Sequence, residues 1–405
     1  MRAEARVPTS GRTSVYGERR MDWGSRGPSG PSSGEPGPTI PDYGGACVDQ
    51  VVPAILAGGA DSSTAAPPVW LPGPAVGAAQ AVLLVLDGLG WAQLKERPGL
   101  APTMNAMAGG PVTTVAPSTT ATALTSITTG SSPANHGIVG YRLRVQTDRV
   151  LNVLRWKTSD GDARTAIPPE DFQSLAPFGS TKPPVVTRAD LAQSGFTRAH
   201  MAGARMYGWR MPSTIVATVR SLLADGERFV YAYYDGVDKV AHEFGFGPTY
   251  DAELVAADRL VHDLIDVLPL GAVLLVVSDH GQVDVGDHVV TLDADLAAMT
   301  TMLSGEGRFR WLHARPGMHD ALAAAAHRLY DDVAWVRTRD EAVADGWFGG
   351  PLSDRVADRL GDVVIATRDP IAVLDPADPG EQWMRCRHGS LTAAEILVPL
   401  LASRS

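Results

Sequence analysis

The chain has 405 residues, of which 44% are hydrophobic and 20% are charged, so it can bury a large core. The formal net charge of -10 argues against a nucleic acid polymer as the main partner, because phosphate backbones are bound by basic surfaces. A small anionic substrate held by local cations is still compatible with this charge. No run of about 20 apolar residues occurs, so we expect neither a membrane span nor a membrane partner.

Residues 1–45 are predicted to form a disordered N-terminal extension. Arginine is mixed there with Gly, Ser and Pro, and the apolar segment of a secretory signal is missing. The two cysteines, Cys47 and Cys386, lie far apart, which argues against a disulfide framework or a thiolate zinc site and fits a reducing compartment. We therefore expect a cytoplasmic protein whose folded domain covers residues 46–405.

The first regular element is a strand at residues 81–86, an apolar run that ends at Asp87 and Gly88. Such a run, bounded by turn residues, is typical of a strand buried on both faces and hence of a parallel sheet covered by helices. The predicted fold class is therefore α/β, with a central, mostly parallel sheet between layers of helices. Asp87 alone says little about function, because Asp commonly begins a turn or caps a helix.

The next informative segment surrounds Thr120. A short strand at residues 112–115 and a helix from Ala121 onward would place Ser118 to Thr120 at a helix N-terminus. Free backbone N–H groups and the helix dipole favour an anion at that position. A hydroxyl there is either a helix cap or a nucleophile, and for a single threonine the cap is the commoner role.

A second buried strand is predicted at residues 229–234, again followed by acidic residues. Asp238 and His242 stand four residues apart, so on a helix they share one face and can reach a single metal ion. The ordinary alternative is an exposed pair on a helix surface, which contributes only a few tenths of a kcal/mol. The spacing alone leaves both interpretations open.

A third strand at residues 272–277 ends in Asp279 and His280, which offer an oxygen and a nitrogen ligand. Because ligands bind at the carboxyl edge of open α/β sheets, three strands that each end in a carboxylate predict a site at that edge. His388 precedes an apolar C-terminal segment and adds a third histidine of the metal-ligand type. Its ordinary alternative is a loop histidine.

Residues 290–355 depart from the alternating pattern and are predicted to form a small cap insertion. They contain a strand-like run at 309–314 and an Ala-rich helical segment at 321–330. The other histidines, His136 and His200 among them, lack a metal-ligand arrangement with nearby carboxylates. We interpret them as ordinary structural residues, since a satisfied histidine is commoner than a functional one.

In this order the motifs resemble the alkaline phosphatase superfamily, and most closely its type I phosphodiesterase and nucleotide pyrophosphatase branch. The resemblance covers residues 80–402. It implies Thr120, three residues after Pro117, as the catalytic nucleophile. It also implies two divalent metal ions of the zinc or manganese type. One would be held by Asp238, His242 and His388, and the other by Asp87, Asp279, His280 and the Thr120 oxygen.

The implied function is metal-dependent hydrolysis of phosphodiester or pyrophosphate bonds in small molecules, nucleotides among them, through a phospho-threonine intermediate. A small anionic phosphate ester would be the substrate. The chain departs from the branch at Tyr141, which replaces an Asn that binds a phosphate oxygen; its hydroxyl can donate a hydrogen bond, so Tyr141 is a candidate substrate-binding residue. The alternatives are a phosphate monoesterase or phosphonate hydrolase of the same superfamily, and a non-catalytic binding protein that retains the fold.

Overall fold

The computed structural model describes residues 36–58 and 66–405. Most of the predicted extension, residues 1–35, lies outside the described residues. Its last ten residues, 36–45, differ from the prediction, because they bond to remote parts of the domain. The backbone N–H of Thr39 donates to the carbonyl of Leu391 at 2.8 Å, and the Tyr43 hydroxyl donates to the carbonyl of Trp347 at 2.7 Å. The packed domain therefore begins before residue 46.

A seven-stranded sheet forms the centre of the described domain. Its strands lie in the order Ala108–Thr113, Leu397–Arg404, Val273–Val277, Ala81–Leu86, Phe229–Tyr234, Pro184–Arg188 and Arg205–Trp209. The pairings around Ala81–Leu86 are parallel, whereas Leu397–Arg404 runs antiparallel to both of its neighbours. This arrangement confirms the predicted, mostly parallel sheet.

Strand Ala81–Leu86 shows why the sheet is covered on both faces. All six of its residues are buried, and alternate side chains enter different cores. Leu83 and Val85 pack into one core, and Val82 and Leu84 pack into the other. Because successive strand residues point to opposite faces, a continuous apolar run requires helices on each side.

Helices cover the two faces and connect the strands. The helices of eight or more residues are Val51–Gly58, Thr120–Thr129, Pro212–Ala224, Gly236–Phe244, Pro248–Asp266 and His319–Tyr330. The shorter ones are Trp91–Lys95, Pro102–Ala106, Pro133–His136, Pro169–Phe172, Gly195–His200, Ala294–Met299, Arg339–Ala344, Asp354–Ala357 and Ala393–Ile396. Among the described residues, none of the helices is long and apolar enough to cross a bilayer.

The segment predicted as a cap contributes to a second, antiparallel sheet. Its strands lie in the order Thr300–Glu306, Phe309–Ala314, Val363–Thr367 and Ala334–Thr338. The third of these lies beyond the predicted range of 290–355, because it pairs with two strands that precede it in the chain. Helix His319–Tyr330 packs on this sheet through Leu322 and Ala326.

Three smaller sheets complete the described strands. Arg142–Gln146, Arg149–Asn152, Lys157–Thr158 and Gly161–Asp162 form an antiparallel excursion of four strands. Val283–Asp284 pairs with Cys386–Arg387, and Val289–Thr291 pairs with Ala372–Leu374. Cys47 and Cys386 are both buried and unpaired.

Candidate active site

The acidic residues predicted to follow three strands meet at one edge of the main sheet. Ala81–Leu86 pairs in parallel with Phe229–Tyr234 on one side and with Val273–Val277 on the other. The chain therefore leaves all three strands at the same edge. Asp87 and Asp279, which follow two of these strands, are 2% and 0% exposed.

Thr120 is the first residue of helix Thr120–Thr129, and its hydroxyl reaches this group. Thr119 precedes the helix in an extended conformation, and its side chain makes no cap hydrogen bond. Oγ1 of Thr120 lies 3.1 Å from Nε2 of His280. The Thr120 hydroxyl is thus turned toward the acidic residues.

The first group of candidate metal ligands contains Asp87, Asp279 and His280. One ligand atom from each residue lies within 4.8 Å of the others. Nε2 of His280 is 3.3 Å from Oδ1 of Asp87 and 3.6 Å from Oδ2 of Asp279. These are the residues predicted to share one ion with Thr120.

The second group is centred on Asp238. One ligand atom of Asp238, one of His280 and one of His388 lie within 4.8 Å of one another. Nε2 of His242, the third residue of the predicted set, is 3.2 Å from Oδ1 of Asp238. The corresponding distance from Nε2 of His388 is 4.0 Å. The structure therefore brings all six predicted histidines and aspartates together, with His280 between the two groups.

The histidine rings are oriented alike. In His242, Nδ1 lies 2.7 Å from the carbonyl oxygen of Cys386. In His280, Nδ1 lies 3.0 Å from the carbonyl oxygen of Gly281. In His388, Nδ1 lies 3.0 Å from the carbonyl oxygen of Ser118. A carbonyl can only accept, so each Nδ1 carries a hydrogen, and in the neutral ring each Nε2 has a lone pair for a cation. Metal-binding histidines are commonly held in this way.

In the first group of candidate ligands, two buried carboxylate oxygens have no hydrogen-bond donor within the described chain. They are Oδ1 of Asp87 and Oδ2 of Asp279. The other oxygen of each carboxylate is used: Tyr233 donates to Oδ2 of Asp87, and the N–H of Gly88 donates to Oδ1 of Asp279 at 3.1 Å. Both unpaired oxygens lie near Nε2 of His280, so this set of oxygen and nitrogen ligand atoms fits a divalent cation.

The electrostatics of the group favour positive charge. Burial opposes a charge on His280, but the charges of Asp279 and Asp87 raise its pKa to about 10. Burial and then the Asp87 charge raise the pKa of Asp279 well above its ordinary value. Buried carboxylates this close together need a cation, whether a proton or a metal ion.

Some polar partners of the site gave no signal in the sequence. Nε2 of Gln282 donates to Oδ1 of Asp238 at 3.1 Å. Glu306, from the second sheet, is 6% exposed, its Oε2 is 4.0 Å from Nδ1 of His388, and burial raises its pKa to about 8. Tyr233 belongs to a strand that reads only as apolar. Each contacts a site residue that is remote from it in sequence, so local spacing could not reveal the contact.

A cavity of about 230 Å³ opens beside Thr120. Asp87 and Asp238 form its polar wall, and Leu124 and Phe196 lie among its apolar lining residues. His200, which we interpreted as an ordinary structural residue, also lines it. The cavity therefore adjoins the group of candidate ligands and can accept part of a small molecule.

Tyr141 neither lines this cavity nor belongs to either group of candidate metal ligands. Its hydroxyl accepts a hydrogen bond from Nδ2 of Asn152 at 2.6 Å, and burial raises its pKa to about 12. The hydroxyl is therefore protonated at neutral pH. Its role in substrate binding stays a prediction.

Comparison with known proteins identifies a family. The sequence profile of the family described as type I phosphodiesterase / nucleotide pyrophosphatase matches residues 81–391. That range contains Thr120 and all the candidate metal ligands. A search of curated proteins gave no match.

Solved structures share the fold. Murine ectonucleotide pyrophosphatase / phosphodiesterase 5 has a TM-score of 0.59 and 17% identity, covering 79% of this chain and 87% of its own. An inactive variant of that protein in complex with AMP has a TM-score of 0.58 with the same identity and coverage. Phosphonoacetate hydrolase from Sinorhizobium meliloti 1021, in complex with phosphonoformate, has a TM-score of 0.59 and 18% identity, covering 83% of this chain and 91% of its own.

Proposed function

This chain belongs to the type I phosphodiesterase / nucleotide pyrophosphatase family, and we propose that it hydrolyses phosphodiester or pyrophosphate bonds of small molecules, nucleotides among them. The observation that carries this proposal is the position of the Thr120 hydroxyl. It lies 3.1 Å from His280 Nε2, at a helix N-terminus and beside the unpaired oxygens of Asp87 and Asp279. A nucleophile, cation ligands and an anion-binding helix end thus stand together.

The same residues support a two-metal site. Asp87, Asp279, His280 and the Thr120 oxygen would hold one ion, and Asp238, His242 and His388 would hold the other. Carboxylate and imidazole donors without thiolates suit zinc or manganese. Such ions, when bound, lower the pKa of a hydroxyl and stabilise charge on the phosphoryl oxygens.

The residues of the chain then divide the reaction into two displacements. The Thr120 oxygen forms a bond to phosphorus while the bond to one ester oxygen breaks, and that oxygen leaves as an alcohol with the threonine proton. Water then displaces Thr120, which releases a phosphate monoester and restores the hydroxyl. Backbone N–H groups at the start of helix Thr120–Thr129 favour the anionic phosphoryl group throughout.

Phosphonate hydrolysis is the second candidate, since phosphonoacetate hydrolase is among the proteins that share this fold. It would use the same nucleophile and ligands but break a carbon–phosphorus bond. A phosphate monoesterase is the third member of this group of reactions. The predicted cytoplasmic location stays a prediction.

Steady-state kinetics of the zinc-loaded protein distinguish these reactions. We expect bis(4-nitrophenyl) phosphate to be a better substrate than 4-nitrophenyl phosphate or phosphonoacetate. Thr120→Ala should lower kcat/KM by at least about 10³-fold, because the nucleophile is removed. Thr125→Ala is the matched control: this hydroxyl lies on the same helix but donates to the carbonyl of Ala121 at 2.7 Å.

Each outcome has a defined meaning. Preference for the monoester would make the protein a phosphatase, and preference for phosphonoacetate would make it a phosphonate hydrolase. No turnover of any substrate by protein that has bound zinc would contradict the catalytic proposal and favour a binding protein.

A further inference from the structure

Among the side chains that line the cavity beside Thr120, that of His200 carries a polar atom that nothing in the described chain satisfies, as does that of the candidate metal ligand Asp87. His200, at the end of helix Gly195–His200, is 2% exposed and stacks on Phe196 with ring centroids 4.0 Å apart. Its Nδ1 lies 2.7 Å from the carbonyl of Phe196, whereas its Nε2 has no hydrogen-bond partner. A buried, unsatisfied polar atom on a side chain that lines a ligand-sized cavity indicates a missing partner.

The contact with Phe196 fixes what Nε2 can do. Because a carbonyl only accepts, Nδ1 carries the hydrogen, and Nε2 of the neutral ring is an acceptor. Burial lowers the pKa of His200 to about 4, so the ring is neutral at physiological pH. The missing partner must therefore be an O–H or N–H donor.

Four other polar side chains that line the cavity are already paired. The Ser194 hydroxyl donates to Oγ1 of Thr197 at 2.9 Å, and the Thr197 hydroxyl donates to the carbonyl of Leu191 at 2.7 Å. Arg188 and Lys239 both pair with Asp235, at 2.9 and 2.5 Å. A second anionic group on the ligand would have to compete for these cations, whereas a donor to His200 would compete with nothing.

We propose that the cavity binds the organic group of the phosphate ester through an O–H or N–H donor that His200 Nε2 accepts. The substrate class is then phosphodiesters of small, partly apolar molecules that carry a hydroxyl, amide or amino hydrogen. The position of the phosphoryl group at Thr120 rests on the proposed function. The cavity of about 230 Å³ equals the liquid volume of about eight water molecules, enough for one substituted ring.

His200 is thus a specificity-determining residue. A buried acceptor discriminates strongly, because a ligand without the donor leaves the acceptor unpaired. Apolar contacts with Leu124 and Leu154, which also line the cavity, would bind the ring without such discrimination. The difference in affinity between ligands with hydroxylated and with unsubstituted rings therefore measures the contribution of His200.

The test is calorimetric binding to the zinc-loaded, full-length Thr120→Ala protein, which needs no turnover. The ligands are phenyl phosphate, its three hydroxyphenyl isomers and the three methoxyphenyl analogues, which place an acceptor where the hydroxyl was. At least one hydroxyphenyl isomer should bind about tenfold more tightly than phenyl phosphate, and its methoxy analogue should not. His200→Phe in the same background should reduce this ratio to about one while keeping a ring against Phe196.

His313→Phe is the matched control. His313 is 1% exposed in strand Phe309–Ala314 of the second sheet, and its Nδ1 also has no partner within the described chain, but it does not line the cavity. The hydroxyl preference should survive this change. If His200→Phe does not fold, the ¹⁵N resonance of His200 Nε2 in the Thr120→Ala protein should move on adding the preferred hydroxyphenyl phosphate and not on adding phenyl phosphate.

The proposal is overturned if no hydroxyphenyl isomer gains affinity, if the preference persists in His200→Phe, or if the Nε2 resonance responds equally to both ligands. Because binding is measured without hydrolysis, such a failure is distinct from a failure of the proposed function, which the turnover assay detects.

Discussion

At the scale of single residues, the tautomer of each buried histidine decides its role. His242, His280 and His388 donate from Nδ1 to backbone carbonyls, so their Nε2 atoms are the ones that lie near the acidic residues. His136 is reversed: its Nδ1 accepts from the N–H of Ile138 at 3.0 Å, and its Nε2 donates to Oγ of Ser126 at 2.8 Å. Both nitrogens of His136 are used within the fold, as expected of a structural histidine.

This arrangement predicts that His136 makes the protein less stable in acid. Burial and then the Arg359 charge lower its pKa to about 3. The unfolded chain, with a pKa near 6.5, takes up the proton first, so the contribution of His136 is fully present above about pH 6.5 and is lost as the pH falls toward 3. Between pH 7.5 and 5 the loss should be about 2 kcal/mol.

Urea unfolding of the wild type and His136→Asn at both pH values measures this loss. The variant should be less stable than the wild type at pH 7.5, because the hydrogen bonds of His136 are lost. The gap in unfolding free energy between the two proteins should narrow by about 2 kcal/mol at pH 5. Other titrating groups are common to both proteins and cancel in the difference. A gap that does not change with pH would contradict the assignment of a neutral, buried His136.

At the scale of elements, the second sheet contributes to the site through one close contact. Glu306, the last residue of strand Thr300–Glu306, lies against Gly389, where an added Cβ would be 2.7 Å from its Cγ. Gly389 also has φ +123°. Its carbonyl accepts from the N–H of Ser118 at 3.1 Å, and its own N–H donates to Oγ of Ser118 at 3.2 Å; Ser118 precedes the helix of Thr120. The loops that carry His388 and Thr120 are thus joined at this glycine.

Gly389→Ala should therefore disturb both stability and metal binding. A side chain at this φ and this contact should cost about 1–3 kcal/mol of unfolding free energy, and displacement of His388 should weaken zinc binding about tenfold or more. Urea unfolding of metal-free protein and a competitive zinc titration measure the two effects. Gly110→Ala is the control, because nothing lies within 4 Å of its added Cβ and its φ is ordinary. Equal behaviour of the two variants would exclude the proposed contact.

Strands buried on both faces could be predicted to within one residue, since the strand expected at 272–277 is Val273–Val277, whereas the edge strand could not. Residues 81–86 and 229–234 are apolar throughout, and the structure has strands with these bounds. The strand expected at 112–115 is instead Ala108–Thr113, because it lies at the sheet edge and its register follows from pairing with Leu397–Arg404. Pairing between remote segments is not encoded in local apolar periodicity.

At the scale of the whole molecule, the site combines carboxylates that oppose one another when no cation is bound. Asp279 is fully buried, and its raised pKa means that its ionisation is unfavourable in the fold. An acid whose pKa is raised by folding stabilises the fold at pH values below its pKa in the unfolded chain, and this stabilisation is lost as the pH rises. Asp279 therefore destabilises the metal-free protein at pH 7.5. A bound divalent ion would reverse the effect and couple folding to metal binding.

Asp279→Asn should consequently have opposite effects with and without metal. The amide can still accept the N–H of Gly88, so the metal-free variant should unfold at a higher temperature than the metal-free wild type. In excess zinc the order should invert, because a charged ligand is lost. Thermal unfolding with a chelator and with zinc measures both. If the same protein, wild type or variant, had the higher unfolding temperature both with chelator and with zinc, this would argue against a metal ion at Asp279.

The site could be predicted as far as its residues occur in recognisable local motifs. Asp238 with His242, and Asp279 with His280, are close in sequence, and the order of motifs along the chain supplied Asp87, Thr120 and His388. Tyr233, Glu306 and His200 lie in ordinary apolar or mixed segments, and only the fold brings them to the site or its cavity. Their contacts depend on packing between remote elements, which spacing does not record.

The central claim, phosphodiester hydrolysis through Thr120, is tested most directly by the stereochemical course at phosphorus. A diester made chiral with sulfur and oxygen isotopes is hydrolysed by the zinc-loaded protein in labelled water, and the configuration of the product is determined. Two in-line displacements, first by Thr120 and then by water, invert the phosphorus twice, so we expect net retention. Net inversion would show direct attack by water and contradict the account.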